Sequence, residues 1–341
     1  MDLNVTGGNA SCPIDTRVES VLVPILYMLV LVVSLPGNCL SIYVALQRRT
    51  ELGVYLFNLS LADLLYTLTL PLWIDFSLSD DNWRAGIVLC KICSFLTYTN
   101  LYASAGFLCC ISFVRFLGVV YPLRFLQIRT VRAAVVISLV VWVFQSATHV
   151  LLLIKDETYI DDNMHVLCYD IYPLERWKAH LNYVHVAFGF VFPLVLLLAF
   201  HRGICNAIRG NRATRAHEKR RAKKLMLSIT LSFVLCFAPY HAVLLVRSVR
   251  EPDDCCFARS IFKAYKLSVA LTTLNCLSDP VLYCFVSESV RDDMLPFSFL
   301  LGRRRKPKLA ARTGLGAILP NRPSSGQTQA RPTHSAYQVR E

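Results

Sequence analysis

Charged residues are scarce in this sequence of 341 residues: Asp, Glu, Lys and Arg together make up 17%, whereas hydrophobic residues make up 55%. A soluble domain of ordinary composition carries about 25% charged residues, so the shortage argues against a soluble globular protein. Enzyme motifs are lacking as well, since no metal-ligand spacing, phosphate-binding loop or nucleophile elbow is found. We therefore expect neither an enzyme nor a protein with an organic cofactor or a transition-metal centre.

Residues 1–20 lack the apolar run of a cleavable signal peptide, because they contain Asp2, Asp15, Arg17 and Glu19. The first apolar helix is therefore expected to act as its own insertion signal. Internal repeats, which are common in transporters, are not visible either. A seven-helix transporter or light-driven pump therefore remains only as an unfavoured alternative from another class.

Long apolar segments dominate what is present. A helix needs about 20 apolar residues to cross a bilayer core of roughly 30 Å, and backbone polar groups in lipid must bond within such a helix. Seven segments reach this length, and they cover residues 20–47, 52–78, 87–121, 131–154, 181–206, 222–248 and 260–286. The predicted fold class is an all-α integral membrane protein, a seven-transmembrane helix bundle over residues 20–286.

The flanking segments differ in composition. Residues 1–19 are predicted to form an extracellular tail, glycosylated at the sequons of Asn4 and Asn9. Residues 287–301 interleave apolar and charged residues, which predicts a short interfacial eighth helix. Residues 302–341 are rich in Pro, Gly, Ser, Thr and Gln, which predicts a disordered cytoplasmic tail.

Cationic residues are distributed unevenly between the two sides of the bundle. Most of the 36 Lys and Arg follow the first, third, fifth and seventh segments, and most of the 23 Asp and Glu lie on the other side. Because positive loops stay in the cytoplasm, we expect a multi-pass plasma-membrane protein with an extracellular amino terminus. The net charge of +13 then reflects topology and attraction to membrane lipids, and no nucleic-acid partner is expected.

Most of the 13 cysteines lie within the apolar segments, where residues such as Cys276 are interpreted as small apolar packers. Cys90 and Cys168 differ, because both fall at the outer ends of helices or in outer loops. The oxidising exterior allows disulfides, so a Cys90–Cys168 bond is predicted between the third segment and the second outer loop.

Two carboxylates lie at depths where an unpaired charge is costly, Asp63 in the second segment and Asp279 in the seventh. Asn38, Ser104 and Asn275 occupy comparable depths in the first, third and seventh segments. Together these oxygens can form a cage for a monovalent cation such as sodium. The alternative is a polar packing network that holds no ion.

Several motifs occur in the order of a known family. They are Gly37-Asn38, residues 58–63, Trp142, residues 236–239 and residues 279–283. On these marks the chain resembles the rhodopsin-like (class A) G-protein-coupled receptors across the membrane region. The resemblance implies a heterotrimeric G protein as partner and arrestin as a partner of the tail. The basic loop 202–221 is interpreted either as a G-protein contact surface or as cytoplasmic positive charge attracted to lipid headgroups, and both can hold together. It also implies roles in activation and coupling for Arg115, Phe237, Pro239, Pro280 and Tyr283.

Further motifs resemble the proton-sensing group of that family, at residues 70–73, 81–83, 109–112 and 236–241. The outer-loop segments 156–158, 168–170 and 172–175 resemble one member in particular, and this likeness implies coupling to the stimulatory G protein and to cyclic AMP. The group also implies a second disulfide between Cys12 and Cys255. The rival interpretation keeps the receptor fold but assigns a lysolipid or another small amphiphile as the ligand.

The chain departs from the family pattern at several positions. Val114 replaces the usual acid beside Arg115, which implies either a raised basal signal or, if Arg115 is misoriented, poor coupling. The other departures are Gln145 for a carboxylate in the fourth segment, His201 for a tyrosine in the fifth, and Ser79 and Lys266 for two outer histidines.

Histidine is the side chain whose ordinary pKa lies in the range of tissue acidification. His165, His241 and His185, together with Asp63 and Asp279, are the proton-sensing candidates. His149 and His180 are interpreted as ordinary packed or solvated residues. Asp161, Asp162 and Asp170 are the acids that can receive new positive charge.

Overall fold

The computed structural model describes residues 19–47, 50–121, 130–154, 158–160, 164–169, 172–210 and 216–286. The elements are α1 (Glu19–Gln47), α2 (Glu51–Thr67), α3 (Leu70–Leu78), α4 (Ile87–Val120), α5 (Val131–His149), α6 (Leu151–Ile154), β1 (Thr158–Ile160), β2 (Val166–Cys168), α7 (Arg176–Val184), a π-helix (His185–Val191), α8 (Phe192–Gly210), α9 (Ala216–Arg250), α10 (Cys255–Thr272) and α11 (Asn275–Val286).

Six helical stretches within the described residues are long and apolar enough to cross a membrane, namely Val21–Gln47, Glu51–Leu78, Ile87–Val120, Val131–His149, Arg176–Arg209 and Ala222–Arg250. We call these the first to sixth spans. The seventh span is divided, because α10 ends at Thr272 and α11 begins at Asn275. The predicted seven-transmembrane bundle is confirmed. The predicted eighth helix at 287–301, most of the 1–19 tail and the tail 302–341 lie outside the described residues.

Short polar side chains set several helix starts. The Thr50 hydroxyl accepts a hydrogen bond from the Gly53 amide at 3.1 Å. The Asp254 carboxylate caps α10 in the same way through the Phe257 amide at 3.0 Å. Such caps satisfy amides that have no partner within the helix, so these polar residues fix where the second and seventh spans begin.

Apolar residues cover both the inside and the outside of the bundle. Leu59, Phe107 and Phe233 are fully buried in the main core, while Val32 and Val143 on the outer surface are 71% and 68% exposed. An apolar outer face of this kind suits a lipid environment and not water.

Prolines shape the spans where they remove a backbone donor. Pro193 follows the π-helix, in which the Phe192 amide bonds the Ala187 carbonyl five residues back. Pro280 lacks the amide that would bond the Cys276 carbonyl. That carbonyl instead accepts a hydrogen bond from the Asn38 side chain at 3.1 Å, which joins the first span to the seventh.

A short hairpin covers one end of the bundle. β1 pairs with β2 in antiparallel register, and β2 ends at Cys168, which is disulfide-bonded to Cys90 at the start of the third span. We call this end the disulfide end. The predicted Cys90–Cys168 bond is confirmed, whereas the hairpin is an addition that the all-α prediction did not contain. Cys255 is also disulfide-bonded, and its predicted partner Cys12 lies outside the described residues.

Candidate functional site

Three histidines from three spans surround the ring of Tyr102 near the disulfide end. The Tyr102 ring centroid lies 5.2 Å from that of His149, 5.0 Å from His185 and 5.9 Å from His241. The rings of His149 and His185 are themselves 5.3 Å apart. We call His149, His185 and His241 the histidine cluster.

Backbone hydrogen bonds fix the tautomers of two of these rings. Nδ1 of His149 lies 2.8 Å from the Gln145 carbonyl, and Nδ1 of His241 lies 2.8 Å from the Phe237 carbonyl. A ring nitrogen that meets a carbonyl oxygen must carry the hydrogen, so Nε2 carries the lone pair in the neutral ring.

The Nε2 atoms of all three cluster histidines are buried, and none has a hydrogen-bond partner within the described part of the chain. His149 and His241 are only 2% and 1% exposed. His149 and His241 therefore offer buried proton acceptors without a partner, and the half-buried His185 adds a third buried ring nitrogen beside them. No group of three or more His, Cys, Asp or Glu among the described residues has metal-site geometry, so we do not assign the cluster as a metal centre.

The π-helix brings His185 into this arrangement. A π turn holds an extra residue and is often found at functional sites. Gly189 in the same turn lies against Tyr102, and a Cβ atom at this position would overlap the aromatic ring. Glycine is therefore required for the close approach of the fifth span to the third.

The cluster changes the assignment of the histidines. His185 and His241 were predicted as sensing candidates, and both belong to it. His149 was interpreted as an ordinary residue and belongs to it as well, while Tyr102 was not predicted. His149 lies seven residues after Trp142 in the sequence. This spacing gave no sign of a shared site, because the contact of His149 with His185 depends on the rotation of the fifth span about its axis.

The other two outer histidines lie apart from the cluster. His180 is exposed, and its Nδ1 meets the Arg176 carbonyl at 2.7 Å. His165 is partly buried beside β2, and its sensing role stays a prediction. The proposed acidic recipients Asp161, Asp162 and Asp170 lie outside the described residues.

A second polar cluster lies deeper, around Asp63. One oxygen of Asp63 accepts hydrogen bonds from Asn100 at 2.9 Å and from Ser104 at 3.3 Å. The Cys276 thiol donates to the same oxygen at 3.5 Å. Asn275 donates to Asp279 at 3.0 Å. We call this group, with Asn38, the carboxylate cluster.

Four buried oxygens of the carboxylate cluster have no donor within the described residues, and they belong to Asn38, Asp63, Asn275 and Asp279. Oxygens left in this way accept either a proton or a hard cation. The structure thus brings together all five predicted cage residues, while occupancy by sodium remains a prediction.

Two members of the carboxylate cluster were missed or misassigned. Asn100 was not named, although it lies one helical turn before Ser104 on the same face. Cys276 was interpreted as an apolar packer, but its thiol is a hydrogen-bond donor to a carboxylate. This role could not be predicted, because most cysteines in apolar helices only pack against apolar neighbours.

A row of aromatic rings connects the histidine cluster to the predicted activation residue Phe237. The His241 ring stacks on Phe190 at 4.9 Å, Phe190 stacks on Phe233 at 5.7 Å, and Phe233 lies 4.9 Å from Phe237. These contacts join the cluster to the sixth span, whose helix α9 contains Pro239 in its interior.

The remaining predicted activation residues lie along the third and seventh spans. Val114 packs against the main core next to Arg115. Pro280 lies against Gly37. A Cβ atom added at Gly37 would lie 3.2 Å from Cγ of Pro280. Tyr283 belongs to α11, but its side chain lies outside the described residues. The coupling roles of these residues stay predictions.

The fold and both buried clusters define a seven-helix membrane receptor. Residues 37–283 match the family model of the seven-transmembrane receptors of the rhodopsin family. The chain belongs to this family, and the resemblance stated from the sequence motifs is confirmed.

The relatives found among known proteins are receptors. The chain is 45% identical to human G-protein coupled receptor 68 over 296 residues, which are 85% of this chain and 81% of the relative. It is 44% identical to human G-protein coupled receptor 65, over 84% of this chain and 89% of the relative. It is 29% identical to mouse lysophosphatidic acid receptor 6, over 85% of this chain and 88% of the relative.

Membership of this family settles the coarse functional class. The protein is a multi-pass plasma-membrane receptor with a G protein as partner, and it is not an enzyme.

Proposed function

We propose that this receptor is activated by extracellular acid and that it signals through the stimulatory G protein to raise cyclic AMP. The disulfide end then faces the exterior, where oxidising conditions preserve the Cys90–Cys168 bond. The excess of Lys and Arg on the opposite side supports the same orientation, which places the amino terminus outside.

The observation that carries the proposal is the set of buried, unpartnered Nε2 atoms in the histidine cluster. A charged ring at this site loses its hydration and finds no carboxylate among its ring contacts. Two charged rings as close as His149 and His185, at 5.3 Å, also repel each other. Protonation therefore destabilises the packed arrangement.

The sign of the pH response follows from linkage. An arrangement in which the rings separate and become hydrated binds more protons than the packed arrangement. Lowering the pH favours the state that binds more protons. Acid therefore populates the separated state, and the aromatic row from His241 through Phe190 and Phe233 carries the change to Phe237.

The magnitudes favour three histidines over two. Reversing a 1:99 equilibrium requires roughly 5.5 kcal/mol. A ring that binds protons ten times more tightly in one state supplies about 1.4 kcal/mol, so three rings supply about 4 kcal/mol. The carboxylate cluster supplies the remainder if Asp63 and Asp279 release a sodium ion and take up protons on activation, because only groups that bind more protons in the active state favour that state at low pH.

The rival ligand is a lysolipid. The identity to the lysophosphatidic acid receptor, 29%, is lower than the 45% and 44% identities to receptors 68 and 65, and the motifs resemble the proton-sensing group. Coupling to the stimulatory G protein rests on the sequence resemblance of the outer loops.

Acid alone tests the proposal. Cells that express the receptor are moved from pH 8 to pH 6 in lipid-free buffer, and cyclic AMP is measured beside untransfected cells. We expect a rise that depends on the receptor. A receptor that reaches the surface but responds to a lysolipid and not to acid would overturn the proposal.

A further inference from the structure

A buried ion pair lies at the end of the sixth span nearest the second outer loop. The Arg247 side chain is 5% exposed, and that of Glu251 is fully buried. Nε and Nη2 of Arg247 donate to the two carboxylate oxygens of Glu251, with Nη2 at 2.7 Å from Oε1. Burial of two charges costs much of what their attraction returns, so the other contacts of the pair decide its role.

The carboxylate of Glu251 holds the second outer loop. Its Oε1 accepts a buried hydrogen bond from the Leu174 amide at 3.0 Å. Leu174 lies just before Arg176, at which the fifth span begins. A buried backbone amide outside a helix or strand needs an acceptor from elsewhere. Glu251 supplies it, and this bond fastens the start of the fifth span to the end of the sixth.

The guanidinium group of Arg247 holds two aromatic rings. Its central carbon lies 5.0 Å from the ring centroid of Tyr172 in the second outer loop and 3.9 Å from that of Tyr265 in the seventh span. Contacts between a cation and a ring are worth more when they are removed from water. Tyr172 also meets Phe262 of the seventh span edge to face, with 5.3 Å between the ring centroids. We call Arg247, Glu251, Tyr172 and Leu174 the loop clamp.

The loop clamp joins the two spans that carry His185 and His241. A further contact lies between the same spans, since the Tyr183 hydroxyl donates to the Ser248 carbonyl at 3.1 Å. Separation of the His185 and His241 rings requires the fifth and sixth spans to move relative to each other. Such a movement strains the contacts that fasten the loop and the start of the fifth span to Arg247 and Glu251.

We propose that the loop clamp opposes the separation of the fifth and sixth spans and thereby sets how much acid the receptor needs for activation. Arg247 and Glu251 are positioning residues, which act on the histidine cluster through the spans that they fasten. The link to acid rests on the proposed function, whereas the hold on the loop does not.

The double variant Arg247→Met and Glu251→Leu tests the clamp. Replacement of one partner alone leaves the other charge buried and unpaired, but two apolar side chains often replace a buried ion pair without loss of stability. The control is Asp253→Asn, which removes an ion pair with Arg176 whose side chains are 67% and 79% exposed. Exposed pairs contribute little, so this variant should behave like the parent.

Hydrogen exchange measures the hold on the loop, in the purified full-length receptor in lipid nanodiscs at pH 8. The Leu174 amide loses its acceptor in the double variant. A peptide that contains Leu174 is therefore expected to exchange about tenfold faster or more, while the parent and Asp253→Asn exchange alike. Exchange at the rate of the parent in the double variant would overturn the proposal.

Cyclic AMP in cells measures the effect on activation, at matched surface levels. The double variant is expected to raise the basal signal at pH 8 several-fold and to reach its half-maximal response at a higher pH, because less protonation is then needed to separate the spans. A basal signal and a pH midpoint no higher than those of the parent would overturn the proposal. If the basal signal rises in a receptor that does not respond to acid, the clamp is supported and the proposed function fails.

Discussion

At the inner end of the third span, Val114 precedes Arg115. Receptors of the family usually have an acidic residue at the position of Val114. A valine side chain offers no charge-assisted hydrogen bond to the guanidinium group. Loss of one hydrogen bond to a charged group costs about 1.5–3 kcal/mol, which is roughly a 10- to 150-fold change in the equilibrium between inactive and active states. This single position therefore bears on the basal signal.

We expect Val114→Asp to lower basal cyclic AMP at alkaline pH, because the new carboxylate can hold Arg115 in the inactive state. If Arg115 is instead misoriented in the parent, the same change raises the maximal response to acid. Val114→Asn, which adds polarity without charge, is the control. A Val114→Asp receptor with parent basal and maximal signals would contradict both accounts.

Two neighbouring cysteines of the third span have different roles. Cys90 is bonded to Cys168, while Cys93 is a buried free thiol three residues on. Loss of a native disulfide typically costs about 2–5 kcal/mol.

Cys90→Ala is therefore expected to reduce folding and delivery to the cell surface strongly, whereas Cys93→Ala, a small change in the same packing region, should have a milder effect. Surface antibody labelling of tagged receptors measures both. Parent-like surface levels and signalling in Cys90→Ala would show that the bond is not structural.

Among the elements, the π-helix determines how the fifth span meets the third. Gly189 lies so close to Tyr102 that no Cβ atom fits without movement of the ring. Gly106 faces only the tip of Val141, at 3.2 Å from its Cγ1, so a methyl group is tolerated more easily there.

Gly189→Ala is expected to destabilise the receptor by about 1–3 kcal/mol through overpacking and to raise basal cyclic AMP at pH 8, because displacement of Tyr102 separates the histidine cluster. Thermal unfolding and basal signal are compared with those of Gly106→Ala. The account of the π-helix is wrong if Gly189→Ala matches the parent in both.

Four spans meet at the carboxylate cluster, which makes it a property of packed elements and not of one helix. The second, third and seventh spans supply Asp63, Asn100 and Asp279, and Asn38 of the first span bonds the Cys276 carbonyl of the seventh. A cation or a proton in this cluster stabilises the packing that holds it.

Asp63→Asn and Asp279→Asn each remove one charge with little change in shape. Both are expected to alter basal activity and to remove its dependence on sodium, more than they alter expression. Basal cyclic AMP is measured in sodium and in N-methylglucamine buffers. If both variants kept the sodium dependence of the parent, the cluster would not be a cation site.

For the whole molecule, the sequence was sufficient to predict where the spans lie and which polar residues lie deep within them. The third span was predicted at 87–121 and is found at Ile87–Val120, because apolar length alone defines it. Asp63 and Asp279 could be predicted as members of one cluster because a carboxylate inside a span needs a cation, a proton or polar neighbours.

The rotation of each helix about its axis and the irregular segments of the backbone could not be predicted from the sequence. The break after Thr272 falls in a continuous apolar segment, and the β1–β2 hairpin is too short for an alternating pattern. His149 belongs to the site because the π-helix turns His185 towards it and because both rings contact Tyr102. Such contacts depend on how the spans pack, which residue spacing does not reveal.

The central claim is that charging of the histidine cluster drives activation. The most direct measurement is a pH titration of cyclic AMP for the parent, for the triple variant His149→Phe, His185→Phe and His241→Phe, and for a control with His180→Phe. The rings of the triple variant still fill the site but cannot take up protons. We expect the parent and the control to respond to acid, with any difference between them small, and the triple variant to lose most of its response while it remains at the surface. A triple variant with the pH midpoint and amplitude of the parent would contradict the account.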